Sequence, residues 1–141
     1  MATNFYAHRR ITANQQLEIS FFVKHCTTHD ELTDAIRQVL DYKYDYKTED
    51  SNYKIHLGRQ SSHGFFVFAG SLENHIDIRN NLKKNLERYL YDWEITDEDG
   101  VVYDFGAFWK RVSKKIKPRY ITSNETVIDG HVFTVSKSYW Q

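Results

Sequence analysis

The chain has 141 residues, with 19 acidic and 19 basic side chains, 40% hydrophobic residues and 16% aromatics. That length suits one domain and is short for two. Zero net charge gives no argument for nucleic acid or membrane as a partner, no apolar run approaches a membrane span, and the lone Cys26 has no partner for an internal disulfide.

The single cysteine fits a reducing compartment, and the first ten residues lack the apolar run of a secretory signal, so a cytoplasmic location is expected. Asn4 to Ile11 reads as a first strand. Phe5 and Tyr6 supply β propensity, and His8, Arg9 and Arg10 make a charged end. Those bases are either a solvated strand end or an anion site that meets a later loop in space. Thr12 or Asn14 can cap a helix over Gln15 to His25. Leu17, Ile19, Phe21 and Val23 also alternate as a strand would, but the helix is the reading adopted here. Thr28 and Glu31 have capping-box spacing. Leu32, Ala35, Ile36, Val39 and Leu40 then form a helical stripe, predicting a helix from about Asp30 to Tyr42.

Asp41 to Tyr53, DYKYDYKTEDSNY, interleaves tyrosines with charges and offers little to anchor it in a core. It reads as an exposed connection. Tyr42, Tyr44, Tyr46 and Tyr53 are either tyrosines of a solvated loop lying on the body or a partner-binding surface, since tyrosine gives a large contact area at low entropy cost. Tyr53, Ile55 and Leu57 alternate with Lys54 and His56, the mark of a half-buried strand, and Phe65 to Phe68 suits a more deeply buried one. These two strands are expected at the centre of the sheet. Between them lie Gly58, Arg59, Gln60, Ser61, Ser62, His63 and Gly64. The glycines let a ligand approach the backbone, the hydroxyls donate to oxyanions, and Arg59 offers a fork suited to phosphate or carboxylate. His56 and His63 add hydrogen bonds. The competing explanation is a plain polar hairpin.

Gly70 and Ser71 mark a turn. Leu82, Leu86, Tyr89, Leu90 and Trp93 mark a helix from roughly Ile78 to Tyr91, with Lys83 and Glu87 as an outward charge pair. Trp93 to Thr96 and Val101 to Tyr103 form a hairpin around Asp97, Glu98, Asp99 and Gly100. Asp104 caps a helix whose stripe is Phe105, Phe108, Trp109, Val112 and Ile116, and Pro118 ends it. Its bases, Lys110, Arg111, Lys114, Lys115 and Lys117, read as a solvated face rather than a nucleic-acid site. Tyr120 to Ser123, Thr126 to Ile128 and His131 to Val135 are extended, and Asp129-Gly130 makes another hairpin turn. Trp140 near the end would pack on the body or in a subunit interface, which leaves a homo-oligomer open. The fold class is α+β: a single domain with a mostly antiparallel sheet and three to four helices packed on one face.

Motifs for chemistry are sparse. His25, Cys26 and His29 straddle a helix junction, and no second ligand pair follows at zinc-finger spacing, so no metal is assigned. Ser61 or Ser62 with His56 or His63 lacks a nucleophile elbow, and the loop lacks the Gly-Lys-Ser/Thr ending of a P-loop. The acidic turn at Asp97 to Asp99 is an ordinary hairpin turn. No catalytic residue and no cofactor is assigned.

IHLGRQSSHGFFVF, residues 55–68, resembles a pattern in small proteins encoded by tailed bacteriophages. In that family an aromatic-basic first strand, here NFYAHRR, precedes an IHIGK-S-S-x-G-W-type strand pair. An acidic hairpin and an aromatic helix follow, here TDEDGVVYDFGAFWKRV. The chain departs from the pattern in Arg59 for lysine, one added residue before the serines, and Phe65 for tryptophan. The resemblance implies phage origin, a shared fold and a location in the cytoplasm of the infected host cell. It carries no catalytic residue over. Small accessory phage proteins suggest a binder that antagonises a host defence complex, in the manner of an anti-CRISPR protein, with Tyr42, Tyr44, Tyr46 and Trp140 in contact. The alternative is a sponge for a nucleotide signal, or a small enzyme acting on a phosphorylated ligand, using His8, Arg9, His56, Arg59, Ser61, Ser62 and His63. A virion component fits less well, since repeats and coiled coil are missing.

Overall fold

The computed structural model describes residues 2–62, 64–113 and 124–134. Strand β1 (Thr3–Arg9) comes first, then helices α1 (Ala13–His25) and α2 (His29–Leu40). A small hairpin of β2 (Tyr44–Asp45) and β3 (Asp50–Ser51) leads into β4 (Lys54–Gln60) and β5 (Phe66–Phe68). After the 3-10 turn Gly70–Asn74 come α3 (Leu82–Tyr89), β6 (Trp93–Asp97), β7 (Val102–Tyr103), α4 (Phe105–Val112), β8 (Glu125–Ile128) and β9 (His131–Thr134). The seven-stranded sheet runs β7-β6-β1-β4-β5-β9-β8, which puts β4 at its centre. Every neighbouring pair is antiparallel except β5 with β9. The α+β class and the central place of β4 stand as expected.

One face of the sheet carries the core. Phe5 and Ala7 of β1, Ile55 and Leu57 of β4, and Phe66 and Phe68 of β5 meet Leu82 and Leu86 of α3 and Phe108 and Val112 of α4. The aromatic rings interlock: Phe108 stands 5.9 Å from Phe5 and 5.4 Å from Phe66, and Phe68 stacks on Phe133 at 5.0 Å. Each such ring contributes on the order of 2–3 kcal/mol by burial. α1 and α2 behave differently. They pack on each other, and no residue of either is buried. Leu17, Phe21 and Val23 are left exposed on α1. A full capping box, Thr12 with Gln15, decides helix over strand there. Gln15 also donates to the Tyr53 hydroxyl, tying the helix pair to β4.

Several local expectations shift. The oxygen of Thr28 accepts from the Glu31 amide, but the Glu31 carboxylate turns to Thr27 rather than closing the box. α3 starts at Leu82, not Ile78, because the Asp77 carboxylate accepts from the amides of Arg79 and Asn80 and holds a turn there. Lys83 does not lean toward Glu87; its ammonium sits over the Trp109 ring at 5.9 Å. Asp104 caps α4 through the Ala107 amide at 2.7 Å. The helix end at Pro118 and the stretch 120–123 lie outside the described residues. No described helix is long and apolar enough to cross a membrane.

The acidic turn after β6 is held by its own first residue. The Asp97 carboxylate accepts from the amides of Asp99 and Val101 and from the Tyr103 hydroxyl, at 2.9 to 3.0 Å. Desolvation pushes this carboxyl upward, but the hydrogen bonds, from Tyr103 first, outweigh it and leave it below its ordinary 3.8. A carboxyl lowered by folding stabilises the fold above its unfolded value, and that stability is lost as pH falls through the folded value. Tyr103→Phe is therefore expected to raise the Asp97 titration toward 3.8 and to start acid loosening at a higher pH. Carbon-detected NMR titration of the Asp97 carboxyl checks this, and an unchanged midpoint would remove Tyr103 from the account.

Candidate functional site

The face of the sheet away from the core is open over β1 and β4, while at β5 and β9 it carries a second buried cluster of Phe65, Val67 and Val132. Alternation along β1 puts Asn4, Tyr6 and His8 there, and on β4 it puts Lys54 and His56 there. Strict alternation would then send Leu57 inward, Gly58 outward and Arg59 into the core. A β-bulge prevents this. Phe5 pairs with Gly58 while Tyr6 pairs with His56, so Leu57 is the extra residue. Leu57 and Gly58 both lie on the core side, and Arg59, opposite Asn4 and Val67, comes out on the same face as His56 and Lys54.

The open face is roofed along one side by the β2–β3 hairpin. Together they enclose a groove of about 710 Å³ with Tyr6, His56, Lys54 and Arg59 on the sheet side and Tyr42, Tyr44, Thr48 and Glu49 on the hairpin side. Its contacts are preset. The Lys54 ammonium lies 4.7 Å from the Tyr6 ring centre, and Tyr6 and His56 rings are 5.3 Å apart. His56 Nε2 sits 3.1 Å from Asn4 Oδ1; with that oxygen as acceptor, Nε2 carries the proton. Among the described residues Glu49 is the one carboxylate lining the groove.

The roof is held from below. Asp50, only 2% exposed, accepts from the His56 amide at 3.0 Å and pairs with His75 Nε2 at 3.2 Å. This corrects the expectation that 41–53 has nothing to anchor it. The anchor is a buried carboxylate, which no hydrophobic pattern reveals. Its charge also reaches Tyr89, whose hydroxyl is pushed above 10.0, first by burial and then, against the opposing Arg9, by Asp50.

The residues singled out in the sequence separate into three places. His56, Arg59, Tyr42 and Tyr44 meet in the groove. His8 and Arg9 stand at the far end of β1, where His8 pairs with Lys54 and Arg9 lies 5.7 Å from the Tyr53 ring centre. Burial and then Lys54 lower the His8 pKa against the pull of Glu94, which disfavours its charged form. Ser61 and Ser62 form the tip of the β4–β5 turn, closed by the Ser61 amide to the Phe65 carbonyl at 2.8 Å, and they do not line the groove. The union of first-strand bases with that loop is not formed. Tyr46 is 87% exposed and sits edge-on to Tyr44 at 5.4 Å. His63 and Trp140 lie outside the described residues.

No family model, no curated protein and no solved structure matches this chain. Fold and groove therefore carry the functional argument by themselves.

Two contributors escaped the sequence reading. Alternation marks Lys54 only as a polar position of a strand. The sequence around Arg111 reads as a solvated basic face. Its guanidinium lies over the rings of Phe5 and Tyr103 and donates to the side-chain oxygen of Gln60. Gln60 in turn donates to the Gly64 carbonyl, so Arg111 fixes the turn from the core side. Its place three residues after Phe108, at the flank of the apolar stripe, was the available signal. Among the described residues no group of three or more His, Cys, Asp or Glu side chains is arranged to hold a metal ion.

Proposed function

We propose that this is a binding protein, and that the groove over the open sheet face takes an anionic ligand carrying an aromatic ring, the chemistry of a nucleotide. The observation that carries the proposal is the bulge at Leu57, which turns Arg59 onto the same face as Lys54, His56 and Tyr6, beneath the tyrosines of the hairpin. Arg59 supplies a bidentate fork for phosphate, Lys54 a second charge, and the tyrosine rings supply faces for a base. The described lining offers groups suited to binding, and the role proposed is a non-enzymatic one. In the phage setting that the sequence pattern implies, such a protein would withhold a nucleotide signal from host defence.

A protein partner is the second reading, favoured by one observation: Tyr46 stands out from the hairpin turn, edge-on to the half-exposed Tyr44 of β2. They would seat against a host complex. The two readings part experimentally. In the nucleotide reading, Arg59→Ala lowers affinity for adenosine nucleotides at least tenfold in calorimetry, while Tyr46→Ala leaves it within twofold. If Tyr46→Ala abolishes antagonism of the host and Arg59→Ala leaves it intact, the protein-partner reading replaces the first.

A further inference from the structure

Lys54 and Arg59, the groove's two cations among the described residues, are not neighbours. Lys54 pairs with His8 and Arg59 pairs with Asn4, so they stand four steps apart along β1. At about 3.4 Å per step, their backbones are separated by roughly 14 Å. Between them, on the same face, lie the Tyr6 and His56 rings at 5.3 Å from each other. The Lys54 ammonium reaches back to 4.7 Å from the Tyr6 ring centre, so one charge rests on this ring pair and Arg59 stands two strand steps beyond it, with Tyr42 and Tyr44 facing this line from the hairpin.

We infer that the groove is built for a ligand with two separate anionic groups and bases beside them, a phosphorylated dinucleotide rather than a mononucleotide. This rests on the nucleotide reading of the same groove and adds the length and valence of the ligand. A mononucleotide brings one phosphate cluster and satisfies one end only. A 5′-phosphorylated dinucleotide brings a terminal and a bridging phosphate with bases to stack between the tyrosines. The same chemistry is offered by a free dinucleotide and by a short run of single-stranded nucleic acid. Glu49, on the hairpin wall, opposes a second negative charge.

The test is calorimetric titration of the full chain with AMP, with 5′-phosphorylated diadenylate and with an eight-residue oligoadenylate. The diadenylate is expected to bind at least tenfold more tightly than AMP. Lys54→Ala and Arg59→Ala should each lower that affinity about tenfold and each make its dependence on salt less steep. Glu49→Gln should raise it. An octamer no tighter than the dimer would identify a free dinucleotide as the source, and a tighter octamer would identify a nucleic-acid strand; both fit a spanning ligand. AMP binding as well as the dimer would overturn the inference and leave the groove as a single-phosphate site. No binding by any probe, with circular dichroism showing a folded chain, would remove both the inference and the nucleotide reading.

Discussion

Gly58→Ala is expected to destabilise the protein by about 3–5 kcal/mol and to take Arg59 out of the groove. A Cβ at this position would lie 2.3 Å from the Val67 carbonyl oxygen, 2.6 Å from a ring carbon of Phe66 and 2.9 Å from the Phe68 Cα. Two of those three are backbone atoms of the neighbouring strand, so no side-chain rotation relieves them. The backbone itself, at φ +149, adds strain for any L side chain. Domains of this kind hold roughly 5–15 kcal/mol in all, so the variant would melt on the order of 10–20 °C lower. Gly64→Ala is the control. Its φ is +89, but its Cβ would meet nothing within 4 Å, so it isolates the backbone cost, about 1–2 kcal/mol. Thermal and urea melts of both variants separate crowding from strain. If Gly58→Ala melts within a few degrees of the parent, β4 can relax without its bulge, and the account of how Arg59 reaches the groove fails.

That bulge also shows where sequence reasoning ends. Period-2 alternation placed Ile55 and Leu57 in the core, because burial of one sheet face imposes that period. The same rule would have buried Arg59. Only the pairing of Phe5 with Gly58, a contact between residues far apart in the chain, reverses its direction. Helix caps were legible for a related reason: Thr12, Thr28 and Asp104 act on amides three residues away, so the signal is local. Asp50 and Arg111 were not legible. Their partners, His56 and His75 for one, Gln60 and Tyr103 for the other, lie on other elements than their own, and a charged residue in a charged stretch carries no mark of burial. The loop at 58–64 looked like a site because polar groups crowd there in sequence. The sheet divides them, sending Arg59 to one face, Gln60 to the other and the serines to the tip.

Asp50→Ala should cost about 3 kcal/mol and loosen the groove roof before the rest of the sheet. The substitution leaves the His56 amide without the acceptor it now has at 3.0 Å, and it leaves His75 without the carboxylate at 3.2 Å. Replacing a buried acceptor while its donors stay buried incurs the full desolvation cost of those donors. Asp50→Asn keeps an oxygen for the His56 amide and places an amide nitrogen opposite His75, so a smaller loss, about 1 kcal/mol, is expected. The rest of the hairpin is held near its base, where Lys43 and Asn52 bond through their backbones and the Asn52 side chain donates to the Asp41 carbonyl at 2.7 Å. These bonds are exposed and lend little strength alone. Hydrogen exchange reads the outcome directly. In Asp50→Ala the amides of 43–54 should exchange much faster, while those of β1 and β6, paired on the far side, keep most of their protection. Because Tyr42, Tyr44 and Glu49 travel with the hairpin, ligand affinity should fall in step with that local opening. Equal acceleration across the whole sheet would instead make Asp50 a support of the global fold, and the hairpin would lose its standing as a separately anchored wall.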